Sequence, residues 1–108
     1  MRNGMKLDSV LNALQTLSKE VPFVIRDGFI RVIVNGKERT PLVALAQSKG
    51  INTDDTLDAA GKLGVSASTV NTLQNVWELS PKANPAVKQR FMGFIDPIHD
   101  LENLFEGL

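Results

Sequence analysis

The 108-residue sequence predicts one domain of mainly helical α+β class. Apolar residues recur every three to four positions over most of the chain, which is the spacing of amphipathic helices. Residues 22–39 instead alternate and contain two Asx-Gly turn signals, which is typical of a β-hairpin. With 43% hydrophobic and 22% charged residues, a chain of this length can bury a core of its own. We therefore expect an N-terminal helix and a hairpin, followed by a helical core.

The first helix is expected over residues 7–19. Its apolar positions keep helical spacing at Leu7, Val10, Leu11, Leu14 and Leu17. This stripe covers either the domain's own sheet or a partner chain.

A hairpin or short meander is expected over residues 22–39. Asp27-Gly28 favours a type I′ turn, which places Arg26 opposite Phe29 and Phe23 opposite Val32. The sheet then has an apolar face of Phe23, Ile25, Ile30, Val32 and Val34, and a mixed face of Val24, Arg26, Phe29, Arg31 and Ile33. Asn35-Gly36 is a second turn signal, after which Lys37–Arg39 can form a third strand.

Residues 40–79 are expected to form a three-helix core. Thr40-Pro41 is an N-cap followed by proline at the first helical position, and Gly50 closes that helix. Residues 52–55 then start a second helix. Gly64 ends the second helix and Ser66 caps a third, which reaches Trp77.

The segment 56–77 resembles the helix-turn-helix family of bacterial and phage DNA-binding regulators. The resemblance is carried by Ala60, Gly64, Val65, Val70 and Leu73. An ordinary helical hairpin in a small bundle remains the alternative interpretation of this spacing.

The resemblance implies that the first turn and outward face of the last helix in this segment read DNA bases. The positions are Ser66, Ala67, Ser68, Asn71, Thr72 and Asn75. A helical wheel gives nearly the same set, because Val70, Leu73 and Trp77 share the opposite side. Asn can pair with adenine, and Ser or Thr can meet donor or acceptor edges of other bases.

Charge is unevenly distributed along a chain whose formal net charge is zero. Residues 40–80 carry two lysines against four carboxylates, so this unit supplies little phosphate neutralisation. We expect the hairpin to grip phosphates as a basic wing, through Arg26, Arg31, Lys37 and Arg39. Alternatively, the arginines only keep a sheet face hydrated, or Phe29 between them forms a protein-contact patch.

Two short helices are expected over residues 84–108. Asn84-Pro85 and Asp96-Pro97 each match an N-cap followed by proline. The second helix is strongly apolar and either completes the core or forms a twofold homodimer seam. Its apolar residues are Ile98, Leu101, Leu104, Phe105 and Leu108.

Features that would indicate an enzyme are scarce. The chain has no cysteine, and its single histidine, His99, lies beside Asp100 in a helical pattern. We expect no catalytic residues, no metal and no cofactor. No run of 18 apolar residues and no signal-peptide pattern occurs, which indicates a cytoplasmic protein without membrane contact.

The sequence therefore predicts a small, dimeric, sequence-specific DNA-binding regulator. The alternative is a non-enzymatic protein-interaction module or small inhibitor of the kind that phages and mobile elements encode. In that case the hairpin face or the C-terminal helix binds a protein partner.

Overall fold

The computed structural model describes residues 4–95, which form five helices and one three-stranded antiparallel sheet. The predicted α+β class is confirmed. The elements in chain order are α1 (Leu7–Ser18), β1 (Phe23–Arg26), β2 (Phe29–Val34), β3 (Lys37–Arg39), α2 (Pro41–Ser48), α3 (Thr56–Leu63), α4 (Ala67–Trp77) and α5 (Pro85–Met92).

The sheet has the predicted register, with strand order β1-β2-β3. Arg26 pairs with Phe29 and Phe23 with Val32. Asp27 and Gly28 have φ of 54° and 80°, so both central residues are left-handed as a type I′ turn requires. The second turn has the same conformation, and β3 follows it as a third strand.

The two faces of the sheet differ less in burial than the pattern predicts. Phe23, Ile30 and Val32 on the apolar face are fully buried in the core. Val24 on the mixed face is also fully buried, although it lies outside the main core cluster. The mixed face is therefore not simply a hydrated surface.

Side chains cap four of the helices at their N-termini. Thr40 and Ser66 accept hydrogen bonds from the third backbone N–H that follows them, at 3.4 and 3.3 Å. Asp55 and Asn84 each accept two hydrogen bonds, from the second and the third backbone N–H that follow them. The predicted caps Thr40, Ser66 and Asn84 are present because this signal is local in sequence, whereas the predicted cap Asp96 lies outside the described residues.

Three helices end in a left-handed residue that closes a Schellman motif. Gly50 and Gly64 serve α2 and α3, as expected for residues without a Cβ. Leu79 takes this position after α4, with φ of 57°. Its N–H donates to the Val76 carbonyl at 3.0 Å, and the Ser80 N–H donates to the Asn75 carbonyl at 2.9 Å.

The core lies where α1, the apolar sheet face and the other helices meet. The apolar stripe of α1 is buried within the domain and packs against α2, although Leu7 is only half-buried. The largest fully buried side chains include Leu11, Phe23, Leu42, Leu73 and Phe91. The interpretation in which this stripe covers its own domain is therefore the correct one, with α2 among its packing partners.

Phe94 closes the described chain against the sheet. Its ring meets that of Phe23 edge-on, with centroids 5.9 Å apart, and Ile95 forms an isolated parallel bridge with Phe23. The predicted second C-terminal helix, its dimer seam and His99 lie outside the described residues. Within residues 4–95, no helix has the length and apolar character needed to cross a membrane.

Candidate nucleic-acid interface

The turn between α3 and α4 is closed by a left-handed glycine. Gly64 is left-handed, with φ of 76°, and the Val65 N–H donates to the Ala60 carbonyl at 2.8 Å. Ala60 and Val65 are buried, and so are Val70 and Leu73 on α4. The turn thus fixes where the first turn of α4 stands relative to the core.

A second glycine contacts this turn from the segment before α1. The sequence did not indicate this contact. Gly4 precedes α1 and lies against Gly64, backbone to backbone. A Cβ on Gly64 would stand 2.8 Å from the Gly4 Cα, and a Cβ on Gly4 would overlap the Gly64 carbonyl oxygen. The segment before α1 therefore packs on the α3–α4 turn, and only glycine permits this approach.

The predicted base-reading residues of α4 separate into two groups by exposure. Ser66, Ala67, Ser68 and Asn71 are exposed. Thr72 and Asn75, the other two predicted positions, are half-buried. The structure therefore places the accessible polar surface on the N-terminal half of the helix.

Several hydroxyl groups on this face already bond locally. Ser66 Oγ caps the Thr69 N–H and bonds to the Thr69 hydroxyl at 3.0 Å, and the Thr72 hydroxyl donates to the Ser68 carbonyl at 3.0 Å. The Asn71 side chain makes no hydrogen bond to any group in the described part of the chain. Asn71 is therefore the predicted residue most available to a ligand.

A groove of about 400 Å³ runs between α3 and α4, and we call it the α3–α4 groove. Asn71 lies along it, together with two exposed residues that the sequence interpretation did not select, Leu57 and Gln74. Gln74 stands one turn after Asn71, so a helical wheel with a wider polar arc would have included it. Leu57 is a large apolar residue of α3, yet it is 73% exposed.

Three of the four predicted phosphate-binding residues lie together at the hairpin. Arg31, Lys37 and Arg39 line a surface pocket of about 350 Å³, along with Glu38 and Asp54. We call this the β3 pocket. It is separate from the α3–α4 groove.

Most cations of the hairpin already have partners. Arg26 Nη1 lies 3.4 Å from Glu38 Oε2, and Arg39 forms an ion pair with Asp54. The Arg31 guanidinium stacks over the Phe29 ring at 4.7 Å, which also covers the predicted protein-contact patch in part. Within residues 4–95, Lys37 makes no ion pair, so it is the hairpin cation most available to a phosphate.

Carboxylates surround the start of α3. Asp54 and Asp55 precede the helix, and Asp58 lies in its first turn, 3.1 Å from Lys62 Nζ. A hydrogen bond from the Thr53 side chain, followed by Lys62, lowers the pKa of the Asp58 carboxyl. This end of the motif is therefore anionic at neutral pH.

The arrangement suits recognition through hydrogen bonds and charge. No group of three metal-ligating side chains converges anywhere in the span from residue 4 to residue 95. No family model, no curated protein and no solved structure matches this chain. The observations that bear on its function are therefore those of its own sequence and geometry.

Proposed function

We propose that the protein is a sequence-specific DNA-binding regulator that inserts the N-terminal half of α4 into the major groove. The single observation that carries the proposal is the exposed amide of Asn71, which makes no hydrogen bond within residues 4–95, on a helix fixed by the α3–α4 turn. An amide at this place can donate to and accept from an adenine at once.

The neighbours of Asn71 complete the proposed reading surface. Ser68 is exposed and lies three residues before it, on the same side of the helix. The Ala67 methyl group is exposed too and can contact the methyl group of a thymine. These side chains are short, so the backbone of α4 would approach the base edges closely.

Phosphate contacts would come from the β3 pocket. The Asp54 side chain is 79% exposed, but the Arg39 side chain that pairs with it is only 17% exposed. A phosphate would have to displace Asp54 to bind Arg39, whereas Lys37 needs no exchange.

Site selection from random duplexes, followed by substitution of Asn71, tests the proposal. Loss of a bidentate base contact costs about 1–3 kcal/mol, so Asn71→Ala should weaken binding to the selected site by about 5- to 150-fold. Binding to unrelated duplexes should change little. Gln15→Ala on α1, also exposed, is the matched control. Unchanged affinity of Asn71→Ala for the selected site would refute the assigned role of α4.

A further inference from the structure

The α3–α4 groove exposes apolar surface that none of the residues 4–95 covers. Leu57 is 73% exposed and Met92 is 42% exposed, and these are the exposed large apolar side chains among the residues described. Leu57 stands at the rim of the groove, whose floor includes Ala60, Val65 and Val70. Covering this surface by a ligand is favourable because it removes apolar area from water.

Gly61 gives the groove additional depth. It lies inside α3, where glycine lowers helix stability relative to alanine. A Cβ added to Gly61 would meet no atom within 4 Å, so the fold itself does not require glycine here. The missing side chain leaves space beside Leu57 that an incoming apolar side chain can fill.

The charge beside the groove defines the chemistry of its occupant. Asp54, Asp55 and Asp58 lie before or within the first turn of α3, next to Leu57 in sequence. Asp54 faces Arg39 and Asp58 faces Lys62, whereas Asp55, whose Oδ1 caps α3, has no ion pair within the described span. A ligand that carries Lys or Arg next to an apolar side chain would complement this surface.

We propose that the α3–α4 groove is a docking site for a basic amphipathic helix of a partner protein. One large apolar side chain of that helix packs between Leu57 and Gly61, and its lysines or arginines face Asp55 and Asp58. This mode of recognition is helix-in-groove binding. The inference does not rest on DNA binding. A helix seated here covers Ala67 and Asn71, so it would compete with a duplex for the same end of α4.

Selection of short random peptides on the full chain, followed by titration of one synthetic selected peptide, tests this site. We expect the selected peptides to combine a large apolar residue with flanking Lys or Arg. Leu57→Ser should reduce peptide affinity at least about tenfold, the size of loss typical of an interface anchor. Gly61→Leu should also reduce peptide affinity because its side chain fills the groove. Met92→Ser, which alters the other exposed apolar side chain, should leave affinity unchanged.

Thermal unfolding separates a lost site from a lost fold, since Leu57 and Gly61 are both exposed and neither substitution should lower the Tm. The proposal is overturned if no peptide is selected, if the selected peptides are acidic, or if they bind Leu57→Ser as well as the natural chain. It is also overturned if the chain self-associates through Leu57, because the occupant is then a second copy. The DNA affinity of Leu57→Ser is measured in parallel. Failure of the docking site and failure of the DNA-binding proposal are then observed separately.

Discussion

At the level of single residues, α3 and its C-terminal turn contain two glycines, and only one of them has a backbone conformation that favours glycine. Gly61 is helical and open to solvent, whereas Gly64 is left-handed and touches Gly4. Residue type alone does not distinguish them. Position does, because a glycine at the end of an apolar helical pattern predicts a C-terminal cap and one inside it does not.

Gly61→Ala should therefore stabilise the fold. Alanine in an exposed helix interior is favoured over glycine by about 0.5–1 kcal/mol. Gly64→Ala should destabilise it by more than about 1 kcal/mol, because the left-handed conformation resists a Cβ and the new atom would meet Gly4. Urea unfolding of the two variants measures both effects, and a loss of stability in Gly61→Ala would contradict the first.

Leu79 has a left-handed backbone like Gly64, but it carries a side chain. Its left-handed φ of 57° is unfavourable for any residue with a Cβ, yet its side chain also packs partly against the core. Leu79→Gly and Leu79→Ala both lose that packing, but only the glycine variant relieves the backbone. We expect Leu79→Gly to be more stable than Leu79→Ala by about 1 kcal/mol in urea unfolding. Equal stability of the two variants would show that the backbone there is unstrained.

Residues of this kind also mark where prediction from sequence stops. The polar face of α4 could be predicted because it follows from helical periodicity. The left-handed conformation of Leu79 could not be predicted, because no sequence pattern marks a leucine that adopts it. The Gly4–Gly64 contact joins residues sixty positions apart, so no local pattern contains it.

At the level of elements, features set by residues close in sequence were predicted, whereas contacts between elements far apart in sequence were not. The hairpin register follows from its turn residues, and the helix starts follow from their caps. The pairing of Arg39 with Asp54 depends on how β3 meets α3, and that of Arg90 with Asn12 on how α5 meets α1. The Arg39–Asp54 contact bears on the hairpin, because it engages a cation that the sequence leaves free.

The start of α3 makes a prediction about pH. The Thr53 hydrogen bond and then Lys62 lower the pKa of Asp58 below its ordinary value of 3.8. A carboxyl whose pKa is lowered by folding stabilises the folded state above its unfolded pKa. That contribution is lost as the pH falls through the lowered pKa of the folded state.

Asp58→Asn should therefore be less stable than the natural chain at neutral pH, and the gap should close as the pH falls below about 3.8. Urea unfolding across this range measures the gap. Glu20→Gln, an exposed carboxylate without a salt bridge in residues 4–95, is the matched control. A gap that does not change with pH would mean that the charge of Asp58 contributes nothing to stability.

At the level of the whole molecule, the proposed phosphate contacts lie at the hairpin and the proposed reading surface lies on α4. Each phosphate contact contributes about 0.9 to the slope of log affinity against log salt. Lys37→Ala should therefore reduce that slope by about one and weaken binding to all duplexes similarly. Lys19→Ala changes the total charge equally but lies outside the β3 pocket, so its slope should remain that of the natural chain. Equal slopes for both variants would remove the hairpin from the interface.

The most direct test of the central claim is fluorescence anisotropy of labelled random-sequence duplex DNA, titrated with the full chain at low and at near-physiological salt. The account predicts micromolar or tighter binding at low salt that weakens steeply as salt is added. Absence of binding even at low salt would contradict DNA recognition by α4, and it would leave the α3–α4 groove as the site to pursue.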